Sequence, residues 1–306
     1  MLRQELAALA EKLGCAVMKD EPLSKHTTFH IGGACSYMIA PASVEALSAL
    51  VKFANENNIR TLVLGKGSNM LCADEGFDGV VFLLGSSFSG IELVDQNTVR
   101  ALAGTSLIQL CRFALENSLA GLEFAYGIPG TVGGGIYMNA GAYGGEIKQV
   151  ISSVTAMDSN GELHTYSNSQ LELTYRRSRF SYSDEIIVSG DFKLAAADAL
   201  KIKEKMDTLI EKRKEKQPLE FPNAGSTFKR PEGQFAGKLI QDCGLRGVCI
   251  GGAQVSEKHC GFVINRNNAT SSDIKELIGK IQKTVYDKTG FFLECEVKII
   301  PYKGLK

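Results

Sequence analysis

A chain of 306 residues with 44% hydrophobic content can bury more than one core, so two or three domains are expected. Its 34 basic residues balance 34 acidic ones, which excludes a global field for nucleic acid or an anionic membrane but leaves room for a local cleft that takes a polyanionic small ligand. The opening MLRQELAALAEKLG lacks the unbroken apolar core of a signal peptide, and no later run is apolar enough to span a bilayer, so cytoplasmic residence without membrane insertion is expected.

In chain order, Leu2, Leu6, Leu9 and Leu13 mark an N-terminal helix, and residues 26–33 form a short strand-like segment ending in a glycine pair. Leu47, Leu50, Val51 and Ala54 predict a one-sided helix over 43–58, with Ser43 as N-cap and Asn57-Asn58 as stop. A strand at 61–64 runs into Gly65-Lys-Gly-Ser-Asn69, and a second apolar strand follows at 79–84. Hairpins are expected around 95–98 and at Asn160-Gly161, a helix from about 106 to 119, and a strand at 185–194. This order gives an α+β lobe rather than a doubly wound sheet. A long helix over 195–216 ends in the charge run 211–216, read as a solvated last turn that suits the helix dipole, and Pro218 marks a domain boundary. Beyond it come a short helix at 235–243 closed by Gly244, strands near 248 and 261, and a helix over 270–288 with a Thr270/Asp273 capping box and Gly290 past its end. The last strand is expected at 293–300, with Leu293, Cys295, Val297 and Ile299 on one face and Glu294, Glu296 and Lys298 on the other.

Eight scattered cysteines without a C-x-x-C read as reduced core thiols, and the four histidines show neither metal-ligand spacing nor a Ser/His/Asp arrangement, so no metal is expected. Two glycine-rich stretches remain. The run 127–145, GIPGTVGGGIYMNAGAYGG, holds too many apolar residues for a linker; its backbone either meets a large flat or anionic partner or forms a set of tight turns. GKGSN lacks the Walker A spacing, and Met70 stands where a dinucleotide fingerprint needs its third glycine, so it reads equally as an anion nest or a tight turn. Together they suggest a dinucleotide cofactor extended between them.

GKGSN, the 127–145 run, Tyr175-Arg-Arg-Ser178, the segment 223–231 (NAGSTFKRP), the segment 251–259 (GGAQVSEKH) and the segment 293–300 (LECEVKII) resemble, in order and spacing, the successive signatures of the UDP-N-acetylenolpyruvoylglucosamine reductase (MurB) family of peptidoglycan synthesis, in its short branch without a tyrosine loop. The likeness spans residue 24 to the C-terminus; His30 stands where the family usually has arginine. It implies a vanillyl-alcohol oxidase/PCMH-type FAD-binding fold over residues 1–196, in sub-lobes of about 1–86 and 87–196, and an α+β substrate domain over 197–306. It also implies non-covalent FAD, NADPH as hydride donor and a UDP-sugar substrate, in a protein that acts as a monomer. FAD contacts are then expected from Gly65, Lys66, Gly67, Ser68, Asn69, Ile128, Pro129, Gly130, Thr131, Gly134, Asn139 and Gly141. Arg176 is expected to stabilise the enolate formed on hydride addition, Glu296 to act beside the substrate carboxylate with its proton held by burial, and Ser226 to protonate the enolate carbon. Tyr175, Lys229, Arg230, Lys238 and Gln254 are the expected substrate contacts, while His259 reads as a structural hydrogen-bonding residue. The alternatives are another flavin oxidase or dehydrogenase on the same cofactor fold, and a flavin or nucleotide-sugar binding module.

Overall fold

Local signals decide most of the helices. In the computed structural model, which describes residues 1–303, α1 spans Leu2–Lys12 and buries Leu6, Ala7 and Ala10. The Ser43 hydroxyl accepts from Ala46 N at 3.1 Å to start α2, Val44–Glu56, which buries Leu47, Leu50 and Val51. Each such side chain contributes roughly 1.5–3 kcal/mol when taken out of water. A Ser106/Gln109 capping box opens α3, Leu107–Glu116. Thr270 and Asp273 cap α7, Ser271–Thr289, and Gly290 at φ 75° ends it. Between them in sequence lie α4, Val132–Tyr137, α5, Ala199–Lys216, and α6, Ala236–Asp242.

The chain divides into two compact units, each discontinuous in sequence: one holds residues 1–19, 37–66 and 79–213, the other residues 20–36, 67–78 and the chain from 214 onward. The first unit is built on a five-stranded antiparallel sheet in the order Leu163–Ser167, Ile151–Met157, Ile186–Lys193, Thr98–Leu102, Ile91–Leu93. The Asn160-Gly161 turn closes its first hairpin, with Gly161 at φ 81°, as that dipeptide requires. Thr61–Leu64 pairs in parallel with Phe77–Leu83, Thr61 opposite Val80. The buried core of this unit gathers Leu47, Leu50, Phe82, Phe88, Leu107, Ile136, Phe180 and Phe192.

The second unit carries a three-stranded antiparallel sheet, Cys249–Ile250, Ala253–Val255 and Val263–Asn265. Its core packs Ile274, Leu277, Ile281 and Val285 of α7 with Ile240, Val255, Phe228 and Leu293. Lys298–Ile300 pairs in parallel with Met70–Cys72, the strand that leaves GKGSN.

Five expectations change. Residues 26–33, expected to be strand-like, form no strand. The strand over 293–300 is interrupted: Lys298–Ile300 alone forms a ladder, Val297 sits in a bend, and Cys295 makes a separate antiparallel bridge to Phe228. Ile299, expected to face inward, is exposed. The long helix starts later than 195, because Ala195–Ala196 pairs with Leu119–Ala120 as a strand. The glycine-rich run, expected as loop, contains α4. The fifth concerns the charge run at the end of α5, where Arg213 is half-buried among exposed neighbours.

Candidate active site

Thr131 anchors the glycine-rich stretch. It is buried, caps α4 by accepting from Gly134 N at 3.4 Å, and stands where a Cβ on Gly65 would come within 2.4 Å of its hydroxyl. The first residue of GKGSN therefore packs directly against the start of α4, and glycine is required there to permit it. Gly67 takes a positive φ of 57° and a Cβ on it would meet the His26 carbonyl at 2.4 Å.

Most glycines of the long stretch are explained by protein rather than by a ligand. A Cβ would meet Ala103 at Gly133, Leu107 at Gly135, Phe124 at Gly145, the Gly145 carbonyl at Gly141 and the Arg213 stem at Gly127. Gly134 differs: its backbone is not left-handed, and a Cβ there would find only the Thr131 hydroxyl, at an ordinary 3.5 Å. That is where backbone can come up against a flat group. Asn139 is fully buried, with its amide donating to Glu146 Oε2 at 2.9 Å and to the Thr174 carbonyl at 3.0 Å and its oxygen accepting from Lys148 N at 2.9 Å. Its side chain thus ties the stretch to the turn that carries Arg176.

That turn is closed by reciprocal backbone bonds between Thr174 and Arg177, of 3.1 and 3.2 Å, leaving Tyr175 and Arg176 at its tip. Arg176 has φ 58°, a left-handed conformation that costs an L-residue with a Cβ about 1–2 kcal/mol. Such strain persists where the surroundings over-determine it and clusters at functional sites. Here Arg176 Nη2 donates to the Gly141 carbonyl at 3.1 Å and the guanidinium lies 5.1 Å from the Tyr175 ring centroid, the ring itself being half exposed.

In the second unit, the segment around Ser226 runs antiparallel to the segment around Glu296. Glu296 N donates to the Thr227 carbonyl at 2.8 Å and Lys229 N to the Glu294 carbonyl at 2.9 Å. Thr227, completely buried, fixes the far side: its hydroxyl oxygen accepts from Val263 N at 2.9 Å. Asn69 of GKGSN donates its amide to the Glu296 carbonyl at 3.2 Å, and Lys298 N donates to the Asn69 carbonyl at 2.9 Å. Ser226 and Glu296 are both half buried.

The expected cationic contacts are less uniform. Lys229 pairs with Glu294 at 2.5 Å, and Arg230 lies over the Phe235 ring at 4.6 Å. Lys238 pairs with Asp242 one turn along the exposed face of α6, and Gln254 donates to the Gly247 carbonyl at 3.3 Å. His259 behaves as the sequence suggests: its Nδ1 accepts from Gly261 N at 3.1 Å, and burial pushes its pKa below the ordinary 6.5. Sequence reasoning missed Arg213. The spacing of Ile202, Met206 and Ile210 along α5 continues onto it, which is the signal that it points inward.

Residues 35–167 match the family model of an FAD binding domain, and residues 217–300 match that of the UDP-N-acetylenolpyruvoylglucosamine reductase C-terminal domain. The UDP-N-acetylenolpyruvoylglucosamine reductase of Exiguobacterium sibiricum is 47% identical over 305 residues, which cover 98% of either chain. The chain belongs to the UDP-N-acetylenolpyruvoylglucosamine reductase family. The corresponding protein of Clostridioides difficile is 46% identical over 281 residues, 92% of each chain. The crystal structure of the reductase (MurB) from Thermus caldophilus aligns with a TM-score of 0.79 at 31% identity, over 94% of this chain and 99% of that one. The architecture of this reductase family is thus the PCMH-type FAD-binding fold with a C-terminal α+β domain. FAD fits what surrounds its expected loops: an open backbone face at Gly134 and a half-buried arginine, Arg213, whose buried Nε has no partner. No helix among the described residues is long and apolar enough to cross a membrane.

Proposed function

We propose that this chain reduces the enolpyruvyl ether of UDP-N-acetylglucosamine enolpyruvate to UDP-N-acetylmuramate, with NADPH as the hydride source. The observation that carries this is the match to reductases of that name along nearly the whole chain. FAD, when bound, supplies the acceptor and donor of hydride between the two substrates. The protein's part is to bind, orient and move protons. GKGSN and the stretch from Ile128 to Gly141, with Pro129, Gly130, Thr131, Gly134 and Asn139, form the cofactor's seat; Asn139 acts through the Arg176 turn, since its side chain is fully engaged within the protein.

Hydride arriving at the methylene carbon drives negative charge toward the substrate carboxylate. Arg176 is the group we assign to that charge, since its guanidinium is permanently cationic and forks onto carboxylates. Glu296 contributes a carboxyl beside the same developing charge. Ser226 gives its hydroxyl proton to the enolate carbon and regains one from solvent, so one hydride and one proton are added across the double bond. Lys229 and Arg230, three and four residues after Ser226, are the proposed diphosphate contacts, with the Lys229–Glu294 pair opening to admit the anion. Tyr175, Gln254 and Lys238 complete the proposed substrate contacts, Lys238 as an outer charge. The chain is proposed to act as a cytoplasmic monomer, with residues 1–196 serving the flavin and 197–306 the nucleotide-sugar.

The test is NADPH oxidation by the purified yellow protein, followed both with oxygen excluded and in air. Oxidation that requires the enolpyruvyl nucleotide, mole for mole, supports the reading. Oxidation driven by oxygen and indifferent to the nucleotide overturns it in favour of a flavin oxidase.

A further inference from the structure

Arg213 lies in the last turn of α5, inside a run of charges, yet it continues the inward stripe of Ile202, Met206 and Ile210. Its Nε is buried without a hydrogen-bond partner. Burial pushes the guanidinium below the usual arginine range, and Tyr143, on the turn of the Gly141–Glu146 hairpin, is the group whose charge opposes that. No carboxylate pairs with it among the described residues. Arg179 provides the contrast: its Nε also lacks a partner, but its Nη2 reaches Glu185 at 3.3 Å and its plane covers the Tyr166 ring at 3.6 Å. Arg179 is neutralised within the protein, and Arg213 is not.

Arg213 is set against the glycine-rich stretch. Its Cδ lies 2.8 Å from where a Cβ on Gly127 would stand, and the Ile210 Cδ1 lies 3.0 Å from the same point. Gly127 lacks a side chain so that this cation's stem can reach the residues that open the cofactor loop. Arg213 as a whole is half-buried, but a buried cationic nitrogen without a counter-charge is destabilising, and it is tolerated where an anion completes it.

We propose that Arg213 is the counter-ion for a negatively charged group of bound FAD, a contact that completes the seat formed by the glycine-rich stretch. Two parts of the cofactor offer that chemistry: the diphosphate, and the pyrimidine edge of the isoalloxazine ring, which gains negative charge on reduction. The proposal rests on the FAD site described above.

The experiment uses full-length protein stripped of FAD and titrated with FAD and with riboflavin by flavin fluorescence, comparing wild type, Arg213→Met and Arg213→Lys. Arg213→Met weakens FAD about 10- to 100-fold, the range of one charge-assisted hydrogen bond, and Arg213→Lys recovers part of the loss. The thermal midpoint of the FAD-free Met variant holds or rises, because an apolar stem replaces an unpaired, partly buried cation. Riboflavin bound as by wild type assigns the contact to the diphosphate; riboflavin weakened in parallel, with a lower flavin midpoint potential, assigns it to the ring. Unchanged FAD affinity in Arg213→Met overturns the proposal. So does a lowered FAD-free midpoint with no recovery by lysine, which marks a purely structural residue. A wild-type protein that fails to bind FAD contradicts instead the cofactor site on which the proposal rests.

Discussion

The Arg176 turn and the paired segments at Ser226 and Glu296 hold polar side chains by opposite means. Arg176 itself takes the left-handed conformation at the tip of its turn, φ 58°, and is kept there by Gly141 and by Asn139 beneath. Before Ser226 the left-handed position is filled by Gly225, φ 76°, and the serine itself is not left-handed. Where the residue that must turn is also the one whose side chain is needed, glycine is no remedy and the strain stays in the fold. Where the two can be separated by one position, the site is built without it.

Variants can break this contrast. The largest effect is expected at Glu296: Glu296→Gln lowers kcat by about 10²- to 10⁴-fold if its proton is part of the chemistry, and near-normal turnover rules that role out. Arg176→Gly should separate stability from activity. Glycine relieves the left-handed backbone by about 1 kcal/mol and raises the thermal midpoint, while kcat drops by about 10²-fold for loss of the cation. A lower midpoint alongside lost activity contradicts the strain account.

The two glycine positions at Thr131 offer a smaller but cleaner pair. Gly65→Ala drives a methyl into the Thr131 hydroxyl and costs about 1–3 kcal/mol in denaturant unfolding of the FAD-free protein. Gly134→Ala, within α4 and with room for its Cβ, leaves that stability unchanged or slightly raised, and its effect appears in flavin affinity. Equal losses of stability at both positions contradict the distinction between protein-packed and ligand-facing glycines. The smallest effect is at His259. Its pKa is below 6.5 in the folded chain, so the unfolded chain binds more protons in the window just under 6.5. Its contribution to stability is complete above 6.5 and is lost as the pH falls through the folded value; His259→Gln should flatten that slope in unfolding curves taken from pH 7 to 5.

What was legible in the sequence is what neighbouring residues decide. Ser43, Thr270 with Asp273, Gly244, Gly290 and Asn160-Gly161 act within a turn of their own position, and each element they bound appears. The fragmented strand at 293–300 was not legible, because its partners, Phe228 and Met70, are distant in sequence and compete for different parts of it. Glycine content announced that backbone must approach something, but not what. Gly127, Gly133 and Gly145 answer to Arg213, Ala103 and Phe124, and Gly134 alone of these keeps an open face. The family motifs named Arg176, Ser226 and Glu296; the backbone that holds each of them came only with the fold.

The central claim is that the glycine-rich stretch places the flavin while the proton for the enolate comes from Ser226. Anaerobic rapid-mixing of Ser226→Ala tests it most directly. The account predicts flavin bleached by NADPH at the wild-type rate, then reoxidised at least about 10²-fold more slowly when the enolpyruvyl nucleotide is added. Reoxidation at the wild-type rate, with deuterium from solvent still entering the product, contradicts it.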